Sequence, residues 1–139
     1  MLVLDTNHVR ELGFKTAAGL KLLQRLEAAN EETATTIVCV EEELRGWLAE
    51  INRHTNPHRQ LVAYAELHHR IEFFAAWLVL PLDKQAADLF VTCRRERVPC
   101  GTMDLKIACI ALAHDAKLLT RNTADFASVP RLRVENWLD

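Results

Sequence analysis

The sequence predicts an α/β fold: a single domain with a parallel sheet of about five strands and helices on both faces. Short apolar or β-branched segments alternate along the chain with longer segments of helical periodicity, and this alternation is typical of parallel sheets covered by helices. The length of 139 residues is enough for one core and too short for two. Because no repeat or linker interrupts the pattern, residues 1–139 are expected to form that one domain.

The first third of the chain is predicted to contain two strands and two helices. An apolar strand over Met1–Leu4 precedes a short helix over Asn7–Leu12, with Thr6 or the helix's own first residue as the cap. Leucines at helical spacing predict a second helix over Thr16–Asn30. Thr33–Val38 is short and rich in β-branched residues, which favours a buried strand.

The rest of the chain continues the alternation. The apolar residues of Val40–Ile51 lie on one helix face, and Pro57 suits the first turn of the helix that follows. Trp77–Leu82 is expected to be the third strand, followed by a helix over Asp83–Arg95. The remaining expected elements are an apolar helix over Met103–His114, a strand over Lys117–Thr120, a turn or short helix over Asn122–Ala127 and a strand over Leu132–Val134.

Charge and cysteine content exclude several classes of protein. Seventeen basic against 19 acidic residues give a net charge of −2, so this is not a strongly basic nucleic-acid-binding domain. Four cysteines without a C-x-x-C pair argue against a structural zinc site. The absence of a signal peptide and of a membrane-spanning run predicts a cytoplasmic location without membrane contact.

A locally basic stretch lies in the middle of the chain, between residues 53 and 70. Two explanations stay open: it guides nucleic-acid phosphates toward a site elsewhere, or it is an ordinary solvated helix face. Its basic residues are Arg53, His54, His58, Arg59, His68, His69 and Arg70.

Acidic residues fall at one edge of the predicted sheet. Asp5 directly follows the first strand, and three consecutive glutamates, Glu41–Glu43, follow the second strand in the first turn of a helix. Asp104 lies in the first turn of the apolar helix, and Asp125 follows the fourth strand. Because the C-terminal ends of parallel strands share one edge, these four segments converge there.

Clustered carboxylates repel one another unless a positive charge compensates them. A divalent cation such as Mg²⁺ or Mn²⁺ would compensate, and such a site could polarise a phosphodiester and activate water. A simpler explanation is open for single acids, because acidic residues in a first helical turn are favoured by the helix dipole. The convergence of four segments favours the metal site.

Four short motifs occur in register along the chain: Leu4–Asn7, Glu42–Gly46, Gly101–Ala108 and Leu119–Phe126. Together with the closing Pro130–Trp137 stretch, they resemble the PIN-domain family and, within it, the VapC-like toxins of toxin–antitoxin pairs. The resemblance covers the whole chain. It implies a parallel five-stranded sheet between helices and a metal-dependent endoribonuclease that hydrolyses RNA phosphodiester bonds.

The resemblance also implies roles for individual residues and partners. The family's acidic quartet, which holds one or two Mg²⁺ or Mn²⁺ ions, is matched by Asp5, Glu42, Asp104 and Asp125. Supporting positions beside the site are Thr6, Thr120 and Asn122, and Arg121 is a candidate for a phosphate contact. The implied partners are an RNA substrate, a small antitoxin protein that blocks the site, and a second copy of the chain in a homodimer.

Two assignments within the quartet stay open. Either neighbouring glutamate, Glu41 or Glu43, could replace Glu42, although the family's four-residue spacing from glutamate to glycine fits Glu42. Asp125 could point away from the site, which would leave three acids and one ion. Asn122 occupies the position at which many PIN nucleases carry an acid.

Two other functions compete with the nuclease. A catalytically inactive PIN-fold binding or regulatory module would use the same acids to hold a structural cation. A phosphatase of the haloacid-dehalogenase type would explain an Asp-Thr pair after the first strand, but that chemistry needs a second acid where this chain has Asn7.

Overall fold

All five strands of the sheet are parallel, and the first strand lies at its centre. A computed structural model describes the chain from Met1 to Asp139. The strands are β1 (Leu2–Leu4), β2 (Thr33–Thr36), β3 (Val79–Leu80), β4 (Lys117–Leu119) and β5 (Arg133–Glu135). Their order in the sheet is β3-β2-β1-β4-β5. The predicted α/β fold with a parallel five-stranded sheet is confirmed.

Seven helices connect and cover these strands. They are α1 (Thr6–Gly13), α2 (Ala17–Ala29), α3 (Ile37–Asn52), α4 (Pro57–Ala75), α5 (Lys84–Arg95), α6 (Thr102–Ala113) and α7 (Thr123–Phe126). None of them has both the length and the apolar composition that crossing a bilayer requires.

Alternate residues of the central strands enter separate cores on the two faces of the sheet. Val3 belongs to a core of 19 buried residues that includes side chains of α5 and α6. Leu2 and Leu4 belong to a second core of seven buried residues, which includes side chains of α1, α2 and α4. In β4, Leu118 and Leu119 divide between the two cores in the same way. The two-residue period of a strand therefore gives each face its own helix layer.

Helix α3 begins earlier than the sequence suggests. β2 ends at Thr36, whose hydroxyl accepts a hydrogen bond of 3.1 Å from the Cys39 amide and so caps the helix that starts at Ile37. The expected start near Val40 was therefore wrong, and Glu41–Glu43 lie beyond the first turn. Because the helix dipole acts mainly on the first turn, it does not account for these glutamates.

Arg70 lies inside the protein and takes no part in the predicted basic surface. Its side chain is 1% exposed, and its guanidinium carbon lies 4.3 Å from the centre of the Phe14 ring. Its three guanidinium nitrogens form no hydrogen bond. Gly13 leaves the space that Arg70 occupies, because a Cβ at position 13 would lie 2.3 Å from Nη1 of the arginine.

Candidate active site

A polar site lies at the point where the order of the strands reverses. Chain order runs outward from β1 to β2 on one side, while β4 pairs with the other side of β1. In open α/β sheets, ligands bind in the crevice outside the C-terminal ends of the strands at such a point, which here are β1 and β4. Asp5 follows β1 and Thr120 follows β4, and the Thr120 hydroxyl donates a hydrogen bond of 2.6 Å to the Asp5 carboxylate. Helix α6 leads into β4 and so brings Asp104 to the same edge.

Asp5 is buried and held in place by three hydrogen bonds. Besides Thr120, the Thr6 backbone amide donates to its carboxylate at 2.7 Å, and the Asn7 side-chain amide donates at 3.4 Å. Asp5 thereby caps α1, a role that the sequence suggested for Thr6 or Asn7. Burial raises the pKa of Asp5, although the three hydrogen bonds lower it.

The three consecutive glutamates of α3 have different environments. Glu41 is exposed and forms an ion pair with an arginine one turn along the helix. Glu43 is buried and pairs with Arg10 at 3.3 Å. Glu42 is partly buried, and its carboxylate accepts a hydrogen bond of 2.7 Å from the Thr6 hydroxyl. Of the three, Glu42 is therefore the one that shares a neighbour with Asp5.

Asp104 is a carboxyl group with a strongly raised pKa. Partial burial is the main cause, and the negative charges of Asp5, Glu42 and Asp125 add to it, so that the pKa rises to about 6. The same repulsion acts on the other acids: Asp125 raises the pKa of Asp5, and Asp5 raises that of Glu42. Asp104 therefore lies within electrostatic range of the other three predicted site acids.

Asp125 is exposed and lies in α7, a helix of four residues whose last residue, Phe126, is buried in the core. Its charge acts on both Asp5 and Asp104, so its carboxylate contributes to the electrostatics of the crevice. Asn122 precedes the same helix, and its backbone amide donates a hydrogen bond of 3.1 Å to the Thr120 hydroxyl. Asp125 adds a negative charge beside the crevice, whereas Asn122 adds none.

Arg121 is engaged by carboxylates of its own chain. Its guanidinium pairs with Glu11 at 3.0 Å and with Asp139 at 3.3 Å. A phosphate that approached Arg121 would share or replace these ion pairs. The phosphate contact stays a prediction.

Asn7 is a residue of the crevice whose contacts the sequence did not reveal. Its side-chain nitrogen donates to Asp5, and its side-chain oxygen accepts a hydrogen bond of 3.2 Å from the Arg121 backbone N–H. Asn7 therefore ties the loop after β4 to the start of α1. An asparagine near a helix start has an ordinary explanation as a cap, and only the pairing of β1 with β4 reveals its second partner.

The donor set of the crevice suits a hard divalent cation. No basic side chain forms an ion pair with any of the four acids. In the protein without its ion, no three His, Cys, Asp or Glu side chains lie close enough together to hold a metal ion by themselves. Mg²⁺ usually keeps several waters and binds through one or two carboxylates, so an open group of uncompensated carboxyl oxygens fits such an ion.

The family to which the chain belongs follows from a match to a family model. The family model described as PIN domain matches residues 2–132. The chain belongs to the PIN-domain family. The matched part of this PIN domain includes all four acids of the crevice. A comparison with curated proteins found no match.

The PIN domain is similar over nearly its whole length to chains in several solved structures. VapBC-1 from nontypeable Haemophilus influenzae has 22% identity and a TM-score of 0.72, over 99% of this chain and 98% of that one. VapBC2 from Rickettsia felis, bound to a DNA fragment from its promoter, has 21% identity and a TM-score of 0.71, over 98% of both chains. FitAcB from Neisseria gonorrhoeae has 21% identity and a TM-score of 0.69, over 99% and 98%. At these identities the likeness establishes the fold.

Proposed function

We propose that this PIN domain is a divalent-metal-dependent endoribonuclease that acts in the cytoplasm as the toxin of a toxin–antitoxin pair. One observation carries the nuclease proposal: four carboxyl groups lie near the crevice without a basic ion-pair partner, and burial, with their mutual repulsion added, raises the pKa of three of them. The proposed ligands of Mg²⁺ or Mn²⁺ are Asp5, Glu42, Asp104 and Asp125.

The residues of the crevice are proposed to position the acids for phosphodiester hydrolysis. A bound Mg²⁺ or Mn²⁺ would polarise the scissile phosphate and lower the pKa of the attacking water. Thr120 and Asn7 fix the orientation of the Asp5 carboxylate. Thr6 contacts both Asp5, through its backbone amide, and Glu42, through its hydroxyl. We therefore infer that Thr6 sets the separation of these two acids.

Cleavage of RNA tests the proposal. The purified protein is expected to cut a pool of single-stranded RNAs with Mg²⁺ or Mn²⁺ and to be inactive in EDTA. Asp5→Asn and Asp104→Asn are expected to lower the rate at least about a hundredfold, since metal ions stabilise transition-state charge by several kcal/mol. The control Asp88→Asn changes an exposed acid of α5 that pairs with Lys84, and it should keep the wild-type rate. No cleavage of varied RNAs with either ion would contradict the proposal and favour the binding module.

An antitoxin partner and a homodimer are part of the same proposal. The solved structures that share the fold include toxin–antitoxin complexes. Helix α4 exposes Leu61, Val62, Tyr64 and Ile71, and contact with another protein chain would bury this apolar surface. Expression is expected to arrest growth unless a small neighbouring gene is co-expressed, and light scattering should give twice the 15.8 kDa mass. A harmless monomer would contradict both expectations.

A further inference from the structure

A cavity beside the four acids has no role in the proposed chemistry. It has a volume of about 550 Å³ and lies between α1, α3 and α4. Thr6 and Glu42 form the wall that it shares with the crevice. Cavities that bind small molecules range from about 300 to 1,000 Å³, so this one has room for a nucleotide.

The lining of the cavity is mainly polar, with an aromatic side chain among its walls. Only three of the ten lining residues are hydrophobic, and Trp47 is one of them. Glu43 is paired with Arg10 at 3.3 Å, and Glu50 is paired with an arginine at the end of α3 at 3.1 Å. Arg59 lines the cavity from α4 and has no carboxylate partner. The lining charges without an ion-pair partner are therefore the Arg59 guanidinium and the Glu42 carboxylate, which accepts a hydrogen bond from Thr6.

A nucleotide matches this lining better than an apolar peptide does. A base can stack on the Trp47 indole, as bases do on aromatic side chains in proteins that bind single strands. A phosphate can pair with Arg59, and N–H groups of the base can donate to the Glu50 carboxylate. An apolar peptide would instead desolvate these charged groups without giving them partners, which is unfavourable.

We propose that this cavity is a subsite for one nucleotide of the RNA, next to the phosphate that is cleaved. The proposal rests on the proposed nuclease function, because Glu42, one of the proposed metal ligands, lines the cavity together with Thr6, which also contacts Asp5. A strand whose phosphate lies at the acids can therefore place an adjacent nucleotide in the cavity. Its base adds affinity for RNA beyond that of the metal site.

Gly46 offers a way to fill the cavity without disturbing the protein. It lines the cavity, and a Cβ at this position would meet no atom of a neighbouring element within 4 Å. Replacement of a glycine inside a helix also favours the helical state. Gly46→Leu is therefore expected to block the cavity in a folded protein. Ala49→Leu is the matched control, because it adds the same side chain to an exposed position of α3 outside the cavity.

The test compares RNAs that lack a single base. In a short RNA that the wild-type protein cleaves with Mn²⁺, abasic residues are placed one at a time beside the cut. For the wild type and Ala49→Leu, one abasic position is expected to lower kcat/KM about fivefold or more, because a stacked base is lost. Gly46→Leu should cleave the intact RNA with the reduced kcat/KM that the wild type has on the abasic RNA. The abasic position should not lower the kcat/KM of Gly46→Leu further, because the leucine and the missing base remove the same contact.

Three results would contradict the proposed subsite, and only one of them would also contradict the proposed nuclease function. Equal sensitivity to the abasic position in Gly46→Leu and the wild type would exclude the subsite and leave the nuclease function intact. A Gly46→Leu protein that cleaves normally but escapes inhibition by its partner protein would show that the cavity holds a protein segment. Failure of the wild-type protein to cleave RNA would remove the proposed function and the subsite together. Thermal unfolding checks that each variant is folded, and Gly46→Met replaces the leucine variant if that variant is not.

Discussion

Asp5 and Asp104 differ in how closely the surrounding structure holds them. Asp5 accepts three hydrogen bonds and caps α1. Asp104 has no hydrogen bond among the causes of its raised pKa, which are burial and the charges of three other carboxyl groups. In the metal-free protein, the ionised form of Asp104 is therefore repelled without compensation.

Asp104→Asn is expected to stabilise the metal-free protein at about pH 7. The folded-state pKa of about 6 lies above the ordinary value of 3.8, so folding favours the protonated carboxyl, and this contribution to stability is lost as pH rises through 6. Removing the charge should raise the free energy of unfolding by on the order of 1 kcal/mol, after allowance for solvent screening. Urea unfolding in EDTA measures the difference between variant and wild type. This difference in the free energy of unfolding should become smaller as the pH is lowered from about 7 to about 5. A difference that becomes larger over that interval would contradict the expectation.

Close backbone contact positions the helices that carry the site. Gly19 of α2 packs against α1, since a Cβ at position 19 would lie 2.1 Å from the Glu11 carbonyl oxygen. Gly46 of α3 has no such neighbour within 4 Å. A side chain is therefore excluded by close packing at Gly19 but not at Gly46. The first glycine permits the approach of α2 to α1, and the second leaves a cavity open.

The same substitution is expected to have opposite effects at the two glycines. Gly19→Ala should lower the free energy of unfolding by about 1–3 kcal/mol, because the added methyl group overpacks a backbone contact. Gly46→Ala should raise it by about 0.5–1 kcal/mol, because alanine favours a helix interior over glycine. Urea unfolding of both variants measures the two changes. Destabilisation of similar size at both positions would contradict the packing described for α1 and α2.

The ends of the helices were harder to predict from the sequence than their existence. Periodicity located each helix, because the apolar face repeats over several turns. A helix end depends on one capping contact, and several neighbouring residues could provide it. Asp5 caps α1 in place of Thr6 or Asn7, and Thr36 starts α3 earlier than the apolar pattern around Val40 suggested.

The four predicted site acids belong to four separate segments that the fold brings toward one edge of the sheet. Asp5 follows β1, Glu42 belongs to α3, Asp104 to α6 and Asp125 to α7. A cation held between them would bind the folded chain and not the unfolded one. Its binding should therefore stabilise the whole domain.

Mn²⁺ is expected to raise the Tm of the wild-type protein by at least about 5 °C at saturation, because a ligand specific to the folded state stabilises it by mass action. Asp5→Asn and Asp104→Asn should lose most of this shift. The control Asp88→Asn should keep it, since Asp88 pairs with Lys84 on the exposed surface of α5. Differential scanning fluorimetry with increasing Mn²⁺ gives the shift, and equal shifts in all four proteins would place the ion elsewhere.

Sequence patterns predicted the sheet and the edge where the acids meet, because alternating strands and helices determine a parallel sheet and its C-terminal edge. Contacts between distant segments were not predictable in this way. The burial of Arg70 depends on the Phe14 ring and on the absence of a side chain at Gly13, which lie more than fifty positions away in the sequence. The cavity beside Trp47 depends on how α4 packs against α3. Neither arrangement leaves a periodic signal.

The capping role of Asp5, beside its proposed role as a metal ligand, has a consequence for how distant relatives are interpreted. A relative without nuclease activity would still benefit from an acid at the end of β1, because that residue caps α1 and accepts a hydrogen bond from the Thr120 hydroxyl. Selection for a stable fold alone could therefore preserve Asp5. Asp104 carries a charge that the metal-free fold would be better without, so the proposed metal site, and not stability, would favour its retention. Among PIN domains built like this one, an aspartate at the start of α6 is thus the better marker of a working enzyme.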